Sequence, residues 1–486
     1  MELSGPLSAA ELTAAVEKKL LSRFPRFRGH VTEDEKHWRV PEAVDPRAYV
    51  EEVELTAPTA ADEATALREH VQREMAKPLP PRCSWNAHLI TYSGRAAKRC
   101  TVLWRISHTV ADGVVLAQIM SRVICEEIPV VKEVPKTTEE TMDGKTTTAA
   151  PTESEATVLR RRVPRAGLCE RIWRFLCGVA FVFALVFWPS DPHTPLQLGP
   201  YRWKQQQEEG KRTGGGGNST HGGESATSGA HAAGEEGVRI ALGEPIAVSA
   251  LRAAAAAAGV TINDLLMTAK AAALRKYLTA RGFACSDSLK LTAVAVINPR
   301  PTMPQDMSSQ ELLADYTRMK GPGCDITLLL LPLPCGDMSP SQRRATLSAT
   351  TRRLKLSPEA YLLRLGANLL TWTVGLNALI ALYTIVLSKF TLYVSNVVAP
   401  AIQGAFCGVP IDSIWFGTTP LDFGVSFSFL SYAGYNRVCC VADGHTVPEP
   451  QVLTDMVVEC LLEQMEDIKV KAAEEVAMNE KVKEMM

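Results

Sequence analysis

The sequence lacks a surplus of either charge: 52 Lys and Arg stand against 53 Asp and Glu, a formal net charge of −1. Without a long-range positive field nucleic acid is not an expected partner, and any basic contact surface has to be local. It also lacks a Cys-x-x-Cys pair among its twelve cysteines. The one close pair, Cys439 and Cys440, is adjacent and suits neither zinc nor a redox helix, so the thiols read as buried or idle and no metal centre is expected. The first twenty residues alternate charge with apolar side chains and contain no apolar h-region. A cleaved signal peptide is therefore not expected, and the catalytic part is assigned to a reducing, cytosolic setting. The glycine run Gly214 to Gly217 lacks the Lys and Ser/Thr of a phosphate loop. What is present is 46% hydrophobic and 22% charged residues over 486 positions, a folding composition on a chain too long for one ordinary core.

Periodicity divides the chain into two α/β halves. In the first, residues 1–134, Ala64 to Met75 and Val114 to Glu126 are predicted helical, while Ala87 to Tyr92 and Thr101 to Ser107 are predicted strands. Residues 135–237 turn to Thr, Ser, Glu and Gly and read as a low-complexity insert or linker. In the second half, residues 238–486, Pro245 to Ala258 and Ile262 to Ala280 are predicted helices and Leu289 to Ile297 a buried strand. The tail from about Pro448 carries Val452, Met456, Val457, Cys460 and Leu461 at helical spacing before becoming highly charged. Two uncharged stretches stand apart. Phe175 to Ser190 follows a basic run from Arg160 to Arg174, and at this length it fits an interfacial or re-entrant element beside anionic headgroups. Leu365 to Ser388 is long enough to span a bilayer, but it contains Gly375 and Asn377 and reads as a buried or interface-lying helix.

The sharpest chemical signal is Ser107-His108-Thr109-Val110-Ala111-Asp112-Gly113, between a predicted strand and a predicted helix. An imidazole leaving a strand end can face a seam between domains, and its pKa suits a base that takes an alcohol proton. From the residues alone His108 is either that base or a structural histidine. Asp112 either orients His108 through a buried ion pair or caps the following helix, and Gly113 allows a tight turn, with a positive φ if one is needed. A second His-x-x-x-Asp, His30 to Asp34, lies in a charged run with no glycine after it and reads as accidental. Thr261 with Asp264 forms a capping-box pattern around Asn263. Ser395 and Asn396 follow a predicted strand, Phe390 to Val394, and either line a site, with an oxyanion donor role, or make a strand-end turn. His445 reads as a surface turn residue.

In these motifs the chain resembles the wax ester synthase/diacylglycerol acyltransferase family. The family's His-His-x-x-x-Asp-Gly corresponds to Ser107 to Gly113, and its Pro-Leu-Trp to Pro78-Leu79-Pro80 with Trp85 displaced. Its Asn-Asp motif corresponds to Asn263-Asp264, its Ser-Asn-Val to Ser395-Asn396-Val397, and its closing pattern to Ser431-Tyr432-Ala433-Gly434 with Asp443. The matches occur in family order and cover most of the chain outside the insert. The first histidine is replaced by Ser107, and the family's Pro-Gly-Pro by Val398-Ala399-Pro400. Asp422-Phe423-Gly424 is a chance match to a plant alcohol acyltransferase motif.

The resemblance implies two chloramphenicol acetyltransferase-like, coenzyme A-dependent domains with an active-site tunnel between them. It implies His108 as general base, Asp112 and Gly113 as orienting residues, and Asn263, Asp264, Ser395 and Asn396 near the tunnel or its oxyanion. No cofactor stays bound. Long-chain acyl-coenzyme A is substrate, diacylglycerol or a fatty alcohol the acceptor, and a membrane or lipid droplet the working surface, with the endoplasmic reticulum as expected location and the catalytic part cytosolic. The alternatives are a same-fold acyltransferase with another nucleophile, and a catalytically silent lipid-surface protein.

Overall fold

Helix starts follow local signals in this chain. Ser8 with Glu11, Thr59 with Asp62, Thr261 with Asp264 and Ser339 with Gln342 form reciprocal capping boxes, and Pro340 occupies the first turn of the last of these helices. The structure, a computed structural model, describes residues 1–32, 37–94, 99–127, 173, 176, 187–197, 237–297, 327–419 and 423–485. The basic residues from Arg160 to Arg174, most of the apolar stretch from Phe175, the glycine run and Asp422 lie outside the described residues.

The first half holds strands β1 (Glu2–Leu3), β2 (His30–Val31), β3 (Trp38–Arg39), β4 (Val50–Thr56), β5 (Trp85–Ser93), β6 (Cys100–Ile106) and β7 (Glu126–Glu127). Its helices are α1 (Ala9–Val16), α2 (Pro25–Arg28), α3 (Ala60–Met75) and α4 (Gly113–Ile119). The second half opens with β8 (Val238–Leu242), β9 (Ile246–Ala247), α5 (Val248–Ala257), α6 (Ile262–Ala280), β10 (Lys290–Ile297) and β11 (Thr327–Pro334). It continues with α7 (Pro340–Leu356), α8 (Glu359–Thr373), α9 (Leu376–Leu387), β12 (Leu392–Val398), β13 (Gly404–Phe406), β14 (Val409–Ser413), β15 (Val425–Tyr432), β16 (Tyr435–Asp443) and α10 (Pro450–Met485).

Two mixed sheets result. The first runs β4-β5-β6-β1-β14-β13-β7 and the second β11-β10-β12-β15-β16-β8, with β9 paired to β16. β4 lies parallel to β5, and β12 lies parallel to both β10 and β15. The second core packs α6 and α10 on the sheet: Leu265, Leu266, Leu274 and Leu278 meet Phe427, Phe429, Leu453 and Val457. In the first, Phe24, Phe27, Trp85 and Ile119 pack together, and the Trp85 indole donates to Phe27 O at 2.8 Å.

Neither half is closed by its own residues. The short strands β13 and β14 come from the second half yet pair with β7 and β1 in the first sheet, burying Phe406 and Ile411 in the first core. Tyr432 fixes this crossing: its hydroxyl accepts from Gly404 N at 2.9 Å and donates to Ile411 O at 3.2 Å. The Ser-Tyr-x-Gly motif is thus a clamp followed by the turn Ala433-Gly434, both with positive φ. Part of the span predicted as linker is likewise structural. Asp191 is buried, and its carboxylate accepts the N–H and hydroxyl of both Thr292 and Thr391, four hydrogen bonds of 2.7 to 3.1 Å. Leu196 is wholly buried nearby, and its carbonyl lies so close to Gly424 that a side chain there would overlap it.

Two helix predictions change. Val114 to Glu126 is not one helix: α4 passes into a π turn over Met120–Ile124 and then into β7, a widening common near functional sites. Leu365 to Ser388 divides into α8 and α9 at Gly375, with φ of 110°, and its outer face is exposed. No single described helix is long and apolar enough to cross a membrane; the bent pair α5 and α6 passes by composition, but its apolar residues fill the second core.

Candidate active site

β6 ends at Ile106 and the chain turns at once toward α4. Ser107 closes this turn, its hydroxyl accepting Thr109 N–H at 3.2 Å and bonding the Thr109 hydroxyl at 2.8 Å. Ser107 N–H donates to Ser84 O, Val110 N–H to Ser107 O, and Arg26 to Thr109 O. The serine that replaces the family histidine therefore holds the turn in shape. His108 stands at its crown, open to solvent on the cleft side. Protein on its other sides makes the charged form costly and pushes the imidazole pKa below 6.5, while Asp112 pulls the other way and loses. His108 is therefore neutral near pH 7, the state in which it can accept a proton.

Asp112 is fully buried and caps α4: its Oδ1 accepts Val114 N–H at 3.1 Å and Val115 N–H at 3.0 Å. Of its two possible roles, the capping role is made explicit by these contacts, and its charge also acts on His108. Gly113 does not take a positive φ. A Cβ at this position would sit 3.5 Å from Val397 Cγ2, an ordinary contact distance, so neither φ nor crowding demands a glycine here.

One cleft of about 3500 Å³ is lined by both halves. From the first come His108, Gly113, Trp104 and Pro78-Leu79-Pro80; from the second come Ser395, Asn396 and the break between α8 and α9. Ser395 and Asn396 sit within β12, paired with Ser428 and Phe429 of β15, and so are not a strand-end turn. Asn396 donates to Asn263 Oδ1 at 3.4 Å, which brings Asn263 to the rear of the site without lining it. Asp264 is not in the cleft: it is buried, caps α6 through Thr261, and accepts the Thr351 hydroxyl of α7 at 2.6 Å. Trp85, paired by motif with the Pro-Leu segment, is core. His30 also departs from expectation, because it lies on β2 in the cleft wall, although Asp34 is outside the described residues. His445 is an exposed turn residue.

Sequence reasoning missed a cationic rim. Arg39, Lys77, Arg82 and Arg105 line the cleft, against Glu74 as the sole carboxylate among the described lining residues. Glu74 holds Lys77 at 2.6 Å and Arg105 at 3.2 Å, and Arg105 also donates to the Lys77 and Pro78 carbonyls. The signal was the basic residues flanking the Pro78 segment, diluted by a neutral overall charge. Behind them His70, Glu74 and His88 bring potential metal-ligand atoms within 4.8 Å of one another. Those atoms already have protein partners: His70 Nε2 meets His88 Nδ1 at 3.1 Å, and Asn86 Nδ2 meets His88 Nε2 at 2.9 Å. The described cysteines are free, and burial pushes Cys440 up to about 12, consistent with an idle thiol.

A bilobal α/β fold with a histidine turn on the shared cleft is the architecture of coenzyme A-dependent acyltransferases and condensation domains. Two models of one family match this chain: the wax ester synthase/diacylglycerol acyltransferase catalytic domain over residues 4–180, and the WS/DGAT C-terminal domain over residues 323–466. The chain belongs to the wax ester synthase/diacylglycerol acyltransferase family, a family of acyltransferases. Wax ester synthase/diacylglycerol acyltransferase 11 of Arabidopsis thaliana is 29% identical over 217 residues, which are 41% of this chain and 43% of that protein. The match thus spans under half of that curated relative. The solved wax ester synthase/diacylglycerol acyltransferase of Marinobacter aquaeolei VT8 aligns with a TM-score of 0.52 at 16% identity, over 97% of this chain and 93% of that one. The first condensation domain of the CDA synthetase aligns at 0.51 and 17%, over 96% and 90%. At these identities the two structures establish the fold, which is chloramphenicol acetyltransferase-like with two domains.

Proposed function

We propose that this protein transfers a long-chain fatty acyl group from acyl-coenzyme A to the hydroxyl of a lipid alcohol, diacylglycerol or a fatty alcohol, with His108 as general base. The observation that carries the reading is a histidine on a pinned turn, opening onto a cleft lined by both halves, with β12 supplying Ser395 and Asn396 to the same space; burial lowers its imidazole pKa and so favours the proton-accepting form. The alcohol oxygen attacks the thioester carbonyl carbon while its proton passes to His108 Nε2 or Nδ1. The tetrahedral intermediate then collapses, the C–S bond breaks, and the imidazolium returns the proton to the departing thiolate. A placed base contributes roughly 10² to 10⁴-fold. The Ser395 hydroxyl and the Asn396 amide, both on the cleft wall, are the proposed oxyanion donors, the amide giving up its 3.4 Å bond to Asn263 Oδ1 to do so.

The cationic rim supports coenzyme A as the carrier. Arg39 and Arg82 offer charge to a phosphorylated nucleotide, Lys77 being held by Glu74, while Leu67, Val71, Leu103 and Ile297 on the walls of the same cleft are apolar and suit an acyl chain. The proposal extends to a membrane or lipid-droplet surface as the place of work, at the endoplasmic reticulum with the catalytic part cytosolic. The test is purified protein with labelled long-chain acyl-coenzyme A and either hexadecanol or diacylglycerol, the products resolved by lipid class. Labelled wax ester or triacylglycerol supports the reading. Label that remains on coenzyme A, or is released only as free acid, opposes it.

A further inference from the structure

The pair α8 and α9 reverses the usual pattern of a surface helix. Its inner residues, Leu363, Leu382 and Val386, pack on Val294 and Leu330 of the second sheet. Its outer residues are apolar as well: Leu365, Leu369 and Trp372 of α8 are 51%, 56% and 83% exposed, and Ile385 of α9 is 56% exposed. Tyr361, Leu365, Leu369 and Trp372 recur at helical spacing, so one whole stripe of α8 faces outward without a charge. From Leu365 to Ser388 there is no ionisable acid or base other than Tyr383, and Arg364 and Lys389 close the two ends. A contiguous exposed face of this kind marks a contact surface.

Two further observations say what the surface touches. The break between the helices runs into the cleft, which Val374, Gly375, Leu376, Asn377 and Ile380 help to line. The other uncharged stretch of the chain arrives at the same place: Trp188 packs on this cluster, Lys389 donates to Trp188 O at 3.1 Å, and Phe187 beside it is 86% exposed. Helices of 15 and 12 residues extend roughly 18 to 22 Å, short of a bilayer's hydrocarbon core of ~30 Å. They therefore suit shallow insertion into one leaflet, with the tryptophan at the interface. A protein partner would call for a polar, partly charged rim around the apolar centre, whereas between Arg364 and Lys389 this face carries no charge and its exposed polar residues are only the neutral Asn368, Thr373, Asn377 and Ser388.

We infer that the outer face of α8 and α9 docks on the surface of a phospholipid membrane, and that the break at Gly375 is the port through which the lipid acceptor passes from that membrane into the cleft. The port function rests on the acyl-transfer reading above; the docking does not. The test uses full-length protein with Leu369→Ser, Trp372→Ser and Ile385→Ser combined, three exposed positions that do not line the cleft. Flotation with neutral phosphatidylcholine vesicles in high salt removes any contribution from basic segments. Wild type is expected to float, and the triple variant to lose about tenfold or more of its vesicle binding. With diacylglycerol presented in the same vesicles the variant's turnover should fall by a similar factor, while turnover with a short-chain, water-soluble alcohol stays within about twofold. Equal flotation of the two proteins would overturn the docking. So would a wild type that stays off vesicles and self-associates through this face, becoming monomeric in the variant. Lost flotation with undiminished acylation of vesicle-borne diacylglycerol would overturn the port. If neither protein acylates any acceptor, the transfer reading fails and the flotation result stands by itself.

Discussion

Replacing Asp112 separates its two effects. The carboxylate is inaccessible to solvent and accepts two backbone N–H groups at 3.0 and 3.1 Å. In Asp112→Ala both donors lose that acceptor. A lost cap costs ~0.5–2 kcal/mol, and a buried donor without a partner ~1–3 kcal/mol, with overlap between the two. A destabilisation of about 2–4 kcal/mol follows. Asp112→Asn keeps an oxygen for the cap and removes the charge, so its loss should be no more than ~1 kcal/mol. The charge has its own readout, because it raises the pKa of His108 against the larger effect of burial. Without it the imidazole pKa falls further, and the acid limb of turnover moves to lower pH in Asp112→Asn. Denaturant midpoints and pH–rate profiles of the three proteins supply both numbers. An Asn variant as unstable as the Ala variant would refute the cap argument, and an acid limb displaced toward higher pH would refute the electrostatic one.

Three further outcomes are expected. In the wild type, turnover should rise as pH climbs through a His108 pKa below 6.5 and then level off, since only the neutral imidazole accepts a proton; a limb centred above 7 in a pH–rate profile would contradict this. Asp191→Ala leaves Thr292 and Thr391 without the acceptor of four hydrogen bonds. It should destabilise the protein by about 2–4 kcal/mol in urea unfolding, where an unchanged midpoint would count against the clamp. Phe406→Ala empties a fully buried site that the second half contributes to the first core. A loss of ~3–5 kcal/mol is expected in the same experiment, and a loss below about 1 kcal/mol would mean that the crossing strands are peripheral.

Elements whose pattern is local could be read directly. Ile262 to Ala280 begins at a capping box and keeps apolar periodicity to its end, and its predicted span is the observed one. β5, β6, β10 and the start of α10 follow within a few residues for the same reason. The two crossing strands could not be read, because three and five residues carry no periodicity of their own and their partners lie far away in sequence. Asp191 was hidden likewise: its donors are 101 and 200 positions distant. At the site, the turn of His108 was legible because strand, turn and cap are contiguous. Ser395 and Asn396 read equally as site-lining residues or as a strand-end turn because they are polar, whereas they sit within a strand that borders the cleft, where polar side chains can be solvated. Asp264 followed the family motif into the candidate site, but its capping box was the better guide.

The central claim is that a neutral His108 accepts the hydroxyl proton during acyl transfer, and the most direct measurement is the rate of ester formation by His108→Ala with labelled acyl-coenzyme A and a saturating alcohol acceptor. His108 caps no helix and stands on a turn held by Ser107, Thr109 and Arg26, so the variant should fold with an unfolding midpoint close to that of the wild type. Its turnover should fall by at least ~100-fold, since the base is removed while the cleft and its oxyanion donors stay in place. A folded His108→Ala protein that still forms ester within about threefold of the wild-type rate would contradict the account.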